Sequence, residues 1–234
     1  MTKWILGLLV LCGLLGVGWH LAGRPSLPDR FNPTAALVID DAPNFLTGYK
    51  LKRLTRDGPQ CLAVLSKASG MSVAPVTEQP KEGGCGLSNV VRIERAKAAF
   101  SPRSPMTTCG AAVAWAMFER HVLDAAAQRA LGSSVTRVEH LGTYACRNMY
   151  HRDQGRRSEH ATANAIDISA FVLQNGQRIQ IERDWDSADA RRAAFLRDVR
   201  DGACRFFNVV LGPDYNEAHG NHFHFDMGNS RACR

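Results

Sequence analysis

Two short segments of the 234-residue chain gather most of the side chains able to bind metal and move protons. The first runs Ser158-Glu159-His160 through Asp167-Ile168-Ser169, and the second is His219-Gly220-Asn221-His222-Phe223-His224-Phe225-Asp226. Side chains alternate between faces along a strand, so His222 and His224 are presented side by side while Phe223 and Phe225 point the other way. Asp167 follows His160 by seven positions, room for a turn after the histidine and for the aspartate to enter the next strand. Two imidazoles and one carboxylate make a recurrent catalytic zinc set, with a fourth position open for water. Zinc lowers the pKa of that water toward neutrality and polarises a carbonyl, so Zn2+ is the expected cofactor. Taken alone, an H-x-H pair on a strand is more often structural than ligating. The conjunction of the two segments carries the expectation; the plain alternative is hydrogen-bonded loop histidines, His219 foremost.

Neighbouring residues invite humbler readings. Asp226 has the spacing of a partner that fixes an imidazole tautomer. Ser158 lacks a Gly-x-Ser-x-Gly elbow and is expected to brace its loop. The Arg156-Arg157 pair reads as a solvated loop, and Trp185 as an ordinary core or edge aromatic.

The elements that must position these groups follow from periodicity. Residues 135–144, 165–173, 178–181 and 223–227 read as strands, with Asn175-Gly176 as a hairpin turn. An alanine-rich amphipathic run predicts a core helix over 107–131, capped by Thr107 or Thr108, and a second helix is expected over 189–202. Residues 49–104 carry glycines and prolines around short apolar runs such as 61–65 and 89–93, which read as strands and turns. Ahead of them, residues 24–48 suit a tether and form no expected element.

Residues 1–23 read as a signal anchor or signal peptide: Trp4 to Ala22 is apolar apart from His20, long enough to span a bilayer, and without a clean A-x-A cleavage site. The expected placement is a bacterial inner membrane crossed once, with residues 49–234 forming one domain in the periplasm. Beyond the anchor lie six cysteines, an even number that suits disulfides in an oxidising compartment. No C-x-x-C pair exists to suggest a thiolate zinc site. Nearness in sequence predicts the pairs Cys61–Cys85, Cys109–Cys146 and Cys204–Cys233. A formal net charge of +7 favours anionic partners, but it is spread without a run of like charges. No nucleic-acid motif is present, so nucleic acid is not an expected partner.

Several motifs in order carry a family resemblance over roughly residues 55–234: Tyr144-Ala-Cys-Arg147, Ser158-Glu-His160 to Asp167-Ile-Ser, Phe195-Leu-Arg, Gly202-Ala-Cys-Arg205, Leu211-Gly-Pro-Asp-Tyr-Asn216 and His222-Phe-His224-Phe-Asp226. They resemble the bacterial extensin-like C-terminal domain family, whose metal signature is similar to that of the lysostaphin-type, D-Ala-D-Ala carboxypeptidase-type and hedgehog-type zinc folds. The resemblance implies an α+β fold: a small central antiparallel sheet with flanking helices and a zinc site on its concave face. It also implies His160, Asp167 and His224 as metal ligands, His222 as the non-ligand histidine, and Arg147 as an arginine that orients substrate or stabilises an oxyanion. Its alternative role is bracing the neighbouring disulfide region. Two positions depart from the pattern. Ala163 stands where relatives usually have glycine, and Asn221 stands where the carboxypeptidase type places a glutamate base, which leaves base duty to His222 or another group.

The expected function is therefore an extracytoplasmic zinc-dependent hydrolase acting on peptides of peptidoglycan or a related envelope polymer, with the membrane as a second partner through the N-terminal helix. The competing expectations are a metal-containing envelope binding module without turnover and a metal-free structural domain.

Overall fold

The computed structural model describes residues 2–21 and 27–234 and divides after Ala35. The first unit holds the helix Thr2–Leu21, long and apolar enough to cross a membrane or to serve as a signal sequence, and a short turn of 3-10 helix at Asp29–Phe31. The boundary expected at residue 23 lies outside the described residues.

The second unit is a mixed α+β domain with more than one sheet. Its main sheet runs Ala232–Cys233, Val209–Leu211, Phe223–Asp226, Ala165–Leu173, Val135–Gly142 and Ala99–Ser101, with Arg178–Gln180 also paired to Ala165–Leu173. The central pairings are antiparallel as expected, but Ala232–Cys233 and Ala99–Ser101 join the two ends in parallel. Ala165–Leu173 is the central strand and is almost wholly buried, with Asp167 among its few polar side chains. The turn after it uses Gly176 at φ 82°, a left-handed conformation that glycine adopts without a Cβ clash.

A long helix lies against this sheet. It runs Cys109–Phe118, widens to a π segment at Glu119–Leu123 and continues as Asp124–Leu131. Thr108 Oγ1 caps it by accepting from the Ala111 amide, and Gly132 at φ 63° ends it. Phe118 packs edge-on against Phe207 and Phe225, and Trp185 against Phe223, so the phenylalanines of the Phe223–Asp226 strand anchor its core face. The second expected helix is present as Ala190–Ala203, capped by the Asp189 carboxylate.

Three expectations need correction. Residues 61–65 belong to a helix, Gly58–Leu65, and not to a strand. The Asp57 side chain accepts from the Gln60 amide and Pro59 sits in the first turn, start signals that outweigh an apolar run with no resolvable period. The strand expected over 178–181 stops at Gln180, where a short helix, Ile181–Asp184, begins. The disulfides are Cys61–Cys109, Cys85–Cys146 and Cys204–Cys233, so only the last of the three expected pairs forms. Helix Gly58–Leu65 packs on helix Cys109–Phe118, which brings their cysteines together across 48 residues of chain. Within the segment expected as a tether, Leu37 and Ile39 are buried in the core and Asp40 pairs with Arg120 at 2.8 Å.

Candidate metal centre

Strand register builds half of the centre. His224 lies directly across from Asp167 in the antiparallel pair, and their side chains meet with His224 Nδ1 2.8 Å from Asp167 Oδ1. Alternation sends Ile166, Ile168, Phe223 and Phe225 into the core on the opposite face. A 3-10 turn supplies the other half. Ser158 Oγ accepts from the His160 amide at the start of Glu159–Thr162, the bracing role expected of it, and His160 is carried inward, 3% exposed. The turn closes at Ala163 with φ 54°. A left-handed residue is needed there, a conformation that glycine adopts most readily. Here the Ala163 methyl is buried against Leu87 and Val90.

His160, Asp167 and His224 each offer a ligand atom, all within 4.8 Å of one another. His160 Nε2 is 3.2 Å from His224 Nδ1 and 3.1 Å from Asp167 Oδ2. The outer nitrogens define what the inner ones present. His160 Nδ1 lies 3.2 Å from the Thr143 carbonyl oxygen, which can only accept, so Nδ1 donates and Nε2 turns its lone pair inward. His224 Nε2 donates to Asp226 Oδ2 at 3.0 Å, and Asp226 Oδ1 is itself held by the Gly228 amide. Asp226 therefore has the orienting role its spacing suggested. Two imidazole lone pairs and a carboxylate facing one another call for a positive species between them, and the donor set fits a divalent metal. Electrostatics agree. Burial alone raises the Asp167 carboxyl, but His160 and His224 more than reverse this and hold it well below the carboxylate range. Burial disfavours a charged His224, yet Asp167 and Asp226 outweigh it and raise the imidazole above its usual value.

His222 stands just outside the triad, with Nε2 3.7 Å from Asp167 Oδ1. Its Nδ1 donates to Asn221 Oδ1 at 2.7 Å, so Nε2 is an unprotonated acceptor aimed at the metal group. Burial, opposed by Asp167, lowers its pKa and keeps it neutral near pH 7. Asn221 thus fixes the orientation of the His222 ring. Arg147 lines the same cavity of about 310 Å3. Among the described residues its guanidinium has no hydrogen-bond or ion-pair partner, and its charge helps depress the His219 and His222 pKa values. The neighbouring Cys146 is bonded to Cys85, and the Ala145 amide donates to the His160 carbonyl, which fastens this segment beside the turn that carries His160. Arg156 and Arg157 are tied down rather than merely solvated, Arg156 to Glu159 at 3.2 Å and Arg157 to the Gly83 carbonyl at 2.7 Å.

His219 is buried, its Nδ1 donating to Asn216 Oδ1 at 2.7 Å, which is the loop role set out for it. Burial and the nearby His222 and His224 push its pKa down to about 4. Sequence reasoning gave no role to Tyr150, Tyr215 or Thr143. Tyr215 and Asn216 belong to the Leu211–Asn216 motif, a signal that was available. Tyr150 had none, because its partner Asn216 lies 66 positions away.

The family described as Extensin-like protein C-terminus matches residues 59–234. No curated protein matches the chain, and neither does any solved structure.

Proposed function

On the premise that the chain belongs to the extensin-like protein C-terminal family, we propose that it is an extracytoplasmic zinc-dependent hydrolase that cleaves peptides of peptidoglycan or a related envelope polymer. The observation that carries this reading is the convergence of His160 Nε2, Asp167 and His224 Nδ1 at the floor of a cavity that also holds an unprotonated His222 nitrogen and an unpaired arginine. Three inward donors with open space beside them suit zinc in a catalytic site, and the His-Asp-His order resembles the lysostaphin-, carboxypeptidase- and hedgehog-type folds.

Zinc held there supplies Lewis acidity and an activated water. The chain's own residues do the rest. His222 Nε2 takes the proton that the attacking water gives up and returns it to the leaving amine, with Asn221 fixing the ring so that Nε2 faces inward. Arg147 meets negative charge as it develops on the carbonyl oxygen or binds a carboxylate of the substrate. The Thr143 carbonyl and Asp226 hold the two ligand imidazoles in the required tautomers.

The apolar helix Thr2–Leu21 and the three disulfides support a single crossing of a bacterial inner membrane, with the domain in the periplasm. A periplasmic reporter fused after residue 234 is expected to be active; activity only from a cytoplasmic reporter would reject this placement. For the chemistry, the test is purified peptidoglycan and crosslinked muropeptides incubated with the zinc-loaded chain, fragments being followed by mass spectrometry beside a chelator control. One observation favours a second reading, a metal-containing envelope binding module: Asn221 carries no carboxylate where the carboxypeptidase type has its base. Wall binding with no fragment released from any substrate would decide for that module.

A further inference from the structure

Two tyrosines stand on the rim of the metal cavity, Tyr150 in the loop that also carries Arg147 and Tyr215 in the loop before Phe223. Each keeps a large exposed surface, 41% and 42%. They are nevertheless fixed. Asn216 Nδ2 donates to Tyr150 Oη at 3.2 Å. His219 packs edge-on against both rings, with centroids 6.4 Å and 5.4 Å away. Asn216 completes the frame by also accepting from His219 Nδ1. The backbone is constrained as well, since Tyr150 and His151 both sit at φ 55°, an uncommon conformation for residues with side chains and one that recurs at ligand clamps.

Aromatic surface held in place this way loses little freedom when a ligand covers it. Both hydroxyls keep an O–H donor, and lone pairs remain at the rim beside them. Cations stand on the same rim: Arg147, whose guanidinium has no hydrogen-bond or ion-pair partner among the described residues, lines the cavity, and Arg152 lies over the Tyr150 ring at 5.9 Å. A ligand matching all three features has an apolar C–H face, a hydroxyl-rich edge and a carboxylate. An acidic sugar has all three; a short aliphatic peptide has the carboxylate alone.

We infer that Tyr150 and Tyr215 form a saccharide subsite beside the metal group, taking a pyranose ring whose carboxylate reaches Arg147. This deepens the hydrolase reading, on which it rests for the kind of polymer presented: the enzyme grips an acidic sugar whose carboxyl is free while a peptide borne by a neighbouring sugar of the same polymer crosses the metal.

The test uses the full chain, zinc-loaded, in a detergent without sugar headgroups, with binding measured by calorimetry and NMR. The probes are N-acetylmuramic acid, neutral N-acetylglucosamine and an acetylated alanine dipeptide. The acidic sugar is expected to bind more tightly than the other two. Tyr150→Ala and Tyr215→Ala should each weaken it about tenfold, the scale of a lost aromatic contact, whereas Tyr150→Phe and Tyr215→Phe should keep most of the affinity. Equal zinc content identifies correctly folded variants, and movement of the two tyrosines' ring resonances in the unaltered chain gives a readout independent of any variant. Absence of acidic-sugar binding by the unaltered chain, or undiminished binding in folded alanine variants, would overturn the subsite. Sugar binding without turnover of wall material would sink the hydrolase reading alone, while cleavage of sugar-free peptides with no sugar binding would sink the subsite alone.

Discussion

His222 is held differently from the three inward donors, and its difference is measurable. It touches Asp167 only at 3.7 Å and is oriented by Asn221, so His222→Ala is expected to keep zinc while turnover falls by about 10²–10⁴-fold, the usual range for a lost general base. Zinc analysis beside a rate on muropeptides separates the two effects. His160→Ala, Asp167→Ala and His224→Ala should each lose the metal instead, and full occupancy in all three would reject the centre. Asp226→Asn should lower zinc affinity roughly 10–100-fold without abolishing binding, as chelator competition would show, because the residue orients His224 and ligates nothing. Since His222 must be neutral to accept a proton and burial lowers its pKa, activity should persist below the ordinary imidazole pKa and fall on the acid side. A rate profile that already declines above pH 7 as the solution is made more acid would point to a different base.

At the scale of elements, Glu119 shows how the π segment is used. Its carboxylate accepts from the Lys97 amide at 3.1 Å and the Ala98 amide at 2.8 Å, tying the edge strand Ala99–Ser101 to the long helix, and burial outweighs those bonds and raises its pKa. Glu119→Ala strands two amides, so a loss of about 1–3 kcal/mol is expected in denaturant unfolding. Peptide mapping without reduction should recover Cys61–Cys109 and Cys85–Cys146, and recovery of Cys61–Cys85 would contradict the fold. The erroneous pairing expected from sequence has a physical source: nearness along the chain is not nearness in space once Gly58–Leu65 is a helix packed on another helix. The strands bearing the donors were legible because alternation is a local signal, and Ala165–Leu173 matches its expected span. The partners of those donors were less so. Asp226 could be read two positions from His224, but the Thr143 carbonyl that orients His160 comes from 17 residues away and carries no side-chain signature.

For the domain as a whole, buried histidines set the acid limit of stability. His219 titrates near 4 when folded against 6.5 for a free imidazole, chiefly through burial, and His140 and His222 shift in the same direction. The unfolded chain therefore takes up protons from about pH 6.5 downward while the folded chain does not. This contribution is fully present above pH 6.5 and is lost as pH falls toward 4. Melting temperatures of the metal-free protein should drop across that window, and His219→Gln should flatten the slope; an unchanged slope would assign the acid limit elsewhere. A last consequence comes from the cross-strand pairing of His224 with Asp167. A slip of the Phe223–Asp226 strand by one residue would turn His222 and His224 to the core and bring Phe223 and Phe225 to the surface, away from Asp167, because strand faces alternate with period two. A misaligned sheet would thus be unable to hold the ion, and zinc uptake becomes a headcount of correctly aligned molecules in any preparation.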